Sequence, residues 1–247
     1  MKLKKIIVFC ASLIFTGNLL ALAQQDTGNK MNWKKDFSVG YSRVTGNTKN
    51  SQLNAGFDAE RKTDYDQLTI KATTLYSSQN KKMDGQKHYG SVRYGFDFLM
   101  DNLYGFLKFE AEHDRFAKID SRIIPTAGVG YWFSDTEDWK ALAELGIGLE
   151  HTEYNDGTKE KTDTILVPRI FFEKAVFEDS TISQDLVMFP NLDESDQYRF
   201  KSETKFTSPL SERISLRFSF IDEYNSDPAA GAKNNDTQTL LSIVCSL

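Results

Sequence analysis

The chain has 247 residues, with 30 Lys and Arg against 35 Asp and Glu, for a formal net charge of −5 at neutral pH. That acidic balance offers no basic footprint, so no nucleic acid partner is expected. Five prolines and 15 glycines are too few for a long disordered segment, and a mean hydropathy of −0.46, without any later apolar run near the ~18 residues of a helical span, excludes a helical inner-membrane protein.

Lys2, Lys4 and Lys5 precede an apolar run from Ile6 to Leu20, followed by Ala21-Leu22-Ala23. This basic, apolar and small-residue order predicts a secretory signal peptide over residues 1–23, with cleavage after Ala23. Cys10 lies too early for a lipoprotein cleavage site, so no lipid anchor is expected. Residues 24–32 read as a short polar periplasmic tail, and residues 33–247 as one domain. Cys245 is then the single cysteine of the mature chain, which excludes an internal disulfide framework. It reads as a small apolar residue facing lipid, with an intermolecular disulfide as the alternative.

From Phe37 onward the chain alternates in polarity. Phe37, Val39 and Tyr41 alternate with Ser38, Gly40 and Ser42 up to a Gly46-Asn47 turn; Leu53, Ala55, Phe57 and Ala59 alternate with Asn54, Gly56, Asp58 and Glu60. Leu68, Ile70 and Ala72 follow, and Asn80–Gln86 reads as a polar loop. Val92, Tyr94, Phe96 and Phe98 lead to an Asp101-Asn102 turn, after which Leu107, Phe109 and Ala111 alternate with Lys108, Glu110 and Glu112. Beyond Phe116 a loop of about six residues is expected, as such connections commonly run. Ala127, Val129, Tyr131 and Phe133 come next, then a Ser134–Asp138 turn, then Ala143, Leu145, Ile147 and Leu149. Asn155–Thr162 is charged and loop-like. Leu166, Pro168, Ile170 and Phe172 form a strand in which the proline predicts a bulge. Ile182–Met188 is the weakest strand, because Gln184 falls on its apolar face. Tyr198, Phe200 and Phe206, then Ile214 to Phe220, then Leu241 to Leu247 complete the series.

A period of two puts the apolar and polar sets on opposite faces of a sheet. Strands of soluble proteins average roughly 5–6 residues, whereas a tilted membrane strand needs about 9–11. The arms around Asp101-Asn102 reach the longer figure. The reading is therefore an all-β, antiparallel up-and-down transmembrane β-barrel of about 12 strands, apolar outside and polar within. Its place is the outer membrane of a Gram-negative bacterium. Asp101-Asn102, Ser134–Asp138 and Glu178–Ser180 are short links assigned to the periplasm; Asn80–Gln86, Asn155–Thr162 and Ser226–Asn235 are longer and external. Trp33, Trp132 and Trp139 fall at periplasmic strand ends, where an aromatic girdle belongs. Arg43, Arg61 and Asp222 sit on the lipid-facing phase near strand ends, where charge costs little.

The inward phase carries the unusual chemistry. Through the strand ending near Glu150 it holds Asp58, Glu60, Asp97, Glu110, Glu112, Glu144 and Glu150 against Lys71, Arg93 and Lys108. From Leu166 onward the balance reverses, with Arg169, Arg199, Lys201, Lys205 and Arg217 against Glu173, Asp185 and Glu203. Two accounts stay open: a lattice of ion pairs that fills a narrow barrel, or a water-filled path for a small polar solute lined by those charges. The alternative function, an outer-membrane barrel hydrolase or lipid-modifying enzyme, has little support. His88, His113 and His151 stand near external strand ends, and no G-x-S-x-G element accompanies them. No cysteine or histidine pair has zinc spacing, and Asp227, Asn234, Asn235 and Asp236 lack the calcium-loop pattern. No metal or cofactor is expected.

Several short motifs occur in an order and spacing that carry a resemblance. They are Gly40-Tyr41 with Thr45-Gly46-Asn47-Thr48; Asp58-Ala59-Glu60-Arg61; Asp114-Arg115-Phe116 with Ile119-Asp120 and Arg122; Asp196–Arg199; Ser208-Pro209-Leu210; and Asp227-Pro228-Ala229 with Asp236-Thr237. In these the chain resembles, from about Phe37 to Leu247, the YdiY-like proteins, a domain of unknown function described as salt-induced outer-membrane proteins. The resemblance implies outer-membrane lipid as surroundings, the barrel-assembly machinery as a partner in biogenesis, and a role in salt or osmotic stress. It brings no catalytic or binding residues. Such chains usually end in an aromatic residue with another two positions earlier; here those places hold Leu247 and Cys245.

Overall fold

The computed structural model describes residues 33–44, 50–63, 65–80, 82–97, 102–115, 117–177, 179–228 and 233–247. The expected signal peptide and polar tail lie outside them. Twelve strands follow one another: β1 (Trp33–Val44), β2 (Asn50–Lys62), β3 (Asp66–Gln79), β4 (Lys82–Asp97), β5 (Leu103–Asp114), β6 (Ile119–Asp135), β7 (Trp139–Tyr154), β8 (Lys161–Val176), β9 (Ser180–Pro190), β10 (Tyr198–Pro209), β11 (Ile214–Asn225) and β12 (Asn235–Ser246). Each pairs antiparallel with its sequence neighbours, and β1 closes the ring on β12. Strands run from 11 to 17 residues, the length a tilted membrane span requires. Closure pairs the first strand with the last, the arrangement that satisfies sheet edges in lipid.

Adjacent residues show which face is which. Phe109 is 48% exposed while Glu110 beside it is 6% exposed. The same inversion places Val39, Leu107, Val129, Ile147, Ile170 and Ile243 outside and Arg122 and Glu144 inside. A soluble sheet would bury the apolar set; this one presents it to the surroundings. Rings collect at the ends of the wall, with Tyr131 and Phe133 5.1 Å apart, Trp139 and Phe172 6.4 Å apart, and Tyr198 and Tyr224 5.6 Å apart.

Several local expectations are corrected. Asp97 pairs with Tyr104, so the hairpin is centred one residue before Asp101-Asn102, of which residue 101 lies outside the described residues. Every partner moves by two residues, and the period of two therefore keeps its faces. Of the expected loop Asn80–Gln86, residues 82–86 are strand. β3 and β4 run on to Gln79 and Lys82, and Asn80 adopts φ 50°, a left-handed conformation that Asn tolerates. Polar composition there marks strands that continue past the apolar belt. The loop expected before Ala127 is likewise short, because β6 begins at Ile119 after Lys118 at φ 61°.

The bulge expected at Pro168 does not form. Leu145↔Pro168 stays in register with β7. The interruption falls on the other side, where β8–β9 pairing stops at Arg169↔Val187 and resumes only at the bridge Ile165↔Asn191. Pro168 and Pro190 both lie in that gap, and neither has an amide hydrogen for the ladder. Trp132 is not part of the girdle; it lines the lumen against Tyr104, with ring centroids 6.2 Å apart. Gln184 does face outward, and it is satisfied there by Ser202 Oγ at 2.9 Å and by the Thr204 hydroxyl at 2.6 Å. Arg61 pairs with Asp66 at 2.8 Å, whereas Asp222 keeps a buried carboxylate oxygen without a hydrogen bond. The Arg43 side chain lies outside the described residues. Below, the end of the barrel carrying links 155–160, 191–197 and 226–234 is called the long-loop end.

Candidate functional site: the charged lumen

Glycines on the inward phase shape one side of the lumen. A Cβ at Gly128 would stand 2.6 Å from Phe106 Cζ, and one at Gly130 would stand 2.3 Å from the Tyr104 ring. Only bare backbone lets these two β5 rings lie flat against β6. Arg93 of β4 then stacks over both, with its guanidinium carbon 4.9 Å from the Phe106 centroid and 5.5 Å from that of Tyr104. Glu144 of β7 is 4% exposed and collects three donors: Arg93, the Tyr104 hydroxyl at 2.6 Å, and Arg169 Nη1 at 3.0 Å. Arg169 also makes a two-pronged contact with Asp185 of β9, at 2.7 and 2.9 Å.

Nearer the long-loop end a second layer crosses the lumen. Arg122 Nε of β6 is 3.0 Å from Glu150 of β7, which Arg199 of β10 also reaches. Lys87 of β4 is paired with Glu223 of β11, and Lys201 of β10 is 3.1 Å from the same carboxylate. Lys201 Nζ stands 5.4 Å from the Tyr89 ring centroid. Tyr89 is on β4, half a circuit from β10 in a ring of twelve, so side chains from opposite walls touch here. Tyr89 donates its hydroxyl to Glu110 at 2.6 Å, and Lys108 lies 2.9 Å from that carboxylate.

Around these pairs remains a cavity of about 1250 Å³. Its lining runs from Lys34, Glu60 and Glu137 at the short-turn end to Asp84, Asn225 and Asp236 at the long-loop end. Of the residues assigned to the lumen from sequence, Glu60, Lys71, Arg93, Lys108, Glu110 and Glu112 line it from the first half of the chain. Arg169, Glu173, Asp185, Arg199, Lys201, Glu203 and Lys205 line it from the second half. Glu144 and Glu150 are held by those arginines. Asp58 stands in register between Asp36 and Lys71, and Arg217 bonds Thr207 Oγ1 at 3.3 Å. Asp97 is exposed at the short-turn rim. Contact pairs join the two halves of the chain at Arg169–Glu144, Arg199–Glu150 and Lys87–Glu223.

Lys87, Arg122, Glu223, Tyr89 and Tyr104 were not identified from sequence. Lys87 and Glu223 lie beyond the apolar belt, where no alternating hydrophobic partner marks the strand, and Arg122 stands among Ile119, Ile123 and Ile124, which fall on both faces; carrying the phase of Arg93, Thr126 or Arg217 outward by twos reaches each. The histidines are elsewhere. His88 Nδ1 is 2.8 Å from Thr74 Oγ1, His113 Nδ1 donates to the Asp120 carbonyl at 2.7 Å, and His151 Nδ1 is 2.8 Å from Thr162 Oγ1. Asp114 follows His113 and lines the cavity.

A closed twelve-stranded ring, apolar outside and charged within, is the architecture of an outer-membrane β-barrel. Solved structures agree. The COG4313 outer membrane channel from Pseudomonas putida F1 is 9% identical with a TM-score of 0.54, covering 91% of this chain and 100% of its own. The NanC porin is 11% identical with a TM-score of 0.51, covering 86% and 98%. These likenesses are of fold. No curated protein matches the sequence. The chain belongs to the YdiY-like family, described as "Protein of unknown function, DUF481", whose model matches residues 37–247.

Proposed function

We propose that the protein is a non-enzymatic outer-membrane channel for small polar solutes, narrowed where Lys87 and Lys201 meet Glu223. The observation that carries this reading is a cavity whose lining reaches both ends of the barrel. Opposed charges along the path hold water and favour solutes that themselves carry polar or paired charged groups. The porin and channel names among proteins of like fold lend support. Export through residues 1–23, assembly by the barrel machinery, and use under salt or osmotic stress belong to the same reading, supported by the N-terminal residue order and the family resemblance.

Recordings in planar bilayers test it. The wild type should give small, resolved conductance steps. Lys87→Ala with Glu223→Ala removes the crossing pair without changing net charge and should enlarge them. Lys201→Glu should shift the reversal potential in a salt gradient toward cation selectivity. A folded barrel that conducts in none of these forms would leave only a sealed, structural envelope protein.

A further inference from the structure

The strands of the wall are not all joined along their length. β1 and β12 pair only from Asp36↔Ser246 to Gly40↔Ser242, five positions in strands of 12 residues each. The next shortest join, β8–β9, has eight. Beyond its last pair it is bridged again by Ile165↔Asn191 and by the Leu192 amide, which donates to the Thr164 carbonyl at 2.8 Å. Among the described residues no such bridge recloses the β1–β12 join. Toward the long-loop end, residues 41–44 of β1 are therefore paired only with β2, and residues 235–241 of β12 only with β11. These two edges border a slot in the wall. At its apex Asn54 of β2 reaches across β1 and donates to Ser242 Oγ at 3.1 Å, a clasp over the last pair.

The two sides of the slot decide what fits it. Inward it borders the cavity, which Asp236, Thr237 and Gln238 of the unpaired stretch line. Outward, next to the last pair, it is apolar: Tyr41 is 58% and Leu241 50% exposed, and Leu241 and Thr239 are in register with Phe218 and Phe220 of β11. Hydrocarbon cannot satisfy unpaired backbone N–H and C=O groups; water or a polar group in the lumen can. A purely apolar occupant leaves them unsatisfied. An added strand suits the slot poorly, because β1 and β12 are antiparallel. A strand between them must run parallel to one, and parallel pairing is the weaker kind. A molecule with a polar head and one apolar tail fits both sides. Glu223, the register partner of Asp236, gathers Lys87 and Lys201, and charges of both signs suit a zwitterionic head.

We propose that the β1–β12 slot is a lateral binding and entry site for a single-tailed zwitterionic amphiphile, its head in the lumen beside Asp236 and Gln238 and its tail outside against Tyr41, Leu241 and Phe218. The Asn54–Ser242 clasp sets how far the slot extends down the seam. The proposal rests on the reading of the lumen as a water-filled path, to which it adds an entrance from the side.

Photo-labelling of the folded barrel in phospholipid vesicles tests it, with lysophosphatidylcholine carrying a diazirine in its tail as the probe. The informative variant is Tyr41→Cys with Leu241→Cys, the pair that one further step of the register brings together, in a Cys245→Ser background. Reduced, like the wild type, it should be labelled mainly on the outer face of β1, β11 and β12. Once oxidation or a short bismaleimide joins the two cysteines, that enrichment should be lost and the label spread evenly around the apolar belt. Gel mobility before and after heating confirms that each form is a folded barrel. Asn54→Ala removes one neutral hydrogen bond and should speed amide hydrogen exchange along the seam by about fivefold; unchanged exchange would overturn the clasp. Even labelling of the reduced form, enrichment that persists after joining, or barrels cross-linked to one another through the slot would overturn the site. Labelling needs no conductance. A barrel labelled at the seam that passes no current would sink the channel reading and keep this site, whereas one that conducts without enrichment would do the reverse.

Discussion

Around β1 the lumen is lined by small, mostly neutral side chains, and half a circuit away around β7 it is lined by rings and ions. At the first place Asn54 of β2 reaches over β1 to Ser242 of β12 at 3.1 Å, passing above Gly40, where a Cβ would stand 2.3 Å from Asn54 Oδ1. At the second, Tyr104 lies over Gly130 and joins Arg93 and Arg169 on Glu144. Both use a glycine to let another strand's side chain lie against the wall. The difference is in what a lost partner leaves behind. A neutral amide released into the lumen finds water at little cost, whereas a desolvated carboxylate or guanidinium without its counter-charge does not.

Replacing Glu144 breaks the charged side most severely. Glu144→Ala leaves two guanidiniums and a phenol facing each other and should cost about 3 kcal/mol in urea unfolding from detergent, the lower end for a broken buried pair because the lumen is wet. A loss no larger than that of a neutral hydrogen bond would remove the contrast. Gly130→Val should come next, at roughly 1–3 kcal/mol of overpacking, since its Cβ meets the Tyr104 ring at once. Adding Tyr104→Ala to Gly130→Val should recover part of that loss; strict additivity would mean that the ring is not what the glycine accommodates. Asn54→Ala should matter least, at about 1 kcal/mol for one neutral hydrogen bond.

The fold was legible because membrane strands repeat one instruction. Phe109 outward and Glu110 inward follow from parity alone, and parity survives errors at the turns, as the displaced β4–β5 register shows. Strand ends were less legible. Lys82 to Gln86 and Ile119 to Ile124 are polar or mixed outside the apolar belt, so composition there resembles a loop although the ladder continues. The lumen was legible as a set of charges but not as a set of pairs. Arg199 meets Glu150 and Lys87 meets Glu223 across several intervening strands. Those meetings depend on stagger and closure, which no local pattern encodes. Tyr104 inward of Leu103 carried the right phase, but an aromatic among charged positions was not recognised as a platform for Arg93.

The way β1 meets β12 also bears on how the barrel forms. Every other join links strands adjacent in sequence, so those ladders can grow by local zipping with little loop-closure entropy to overcome. The last join brings together residues such as Asp36 and Ser246, 210 positions apart, through only the five paired positions from Asp36↔Ser246 to Gly40↔Ser242. Cyclisation of a nearly complete curved sheet should therefore be the slow, late event in folding, and the reopening of this short seam the first step on the way back.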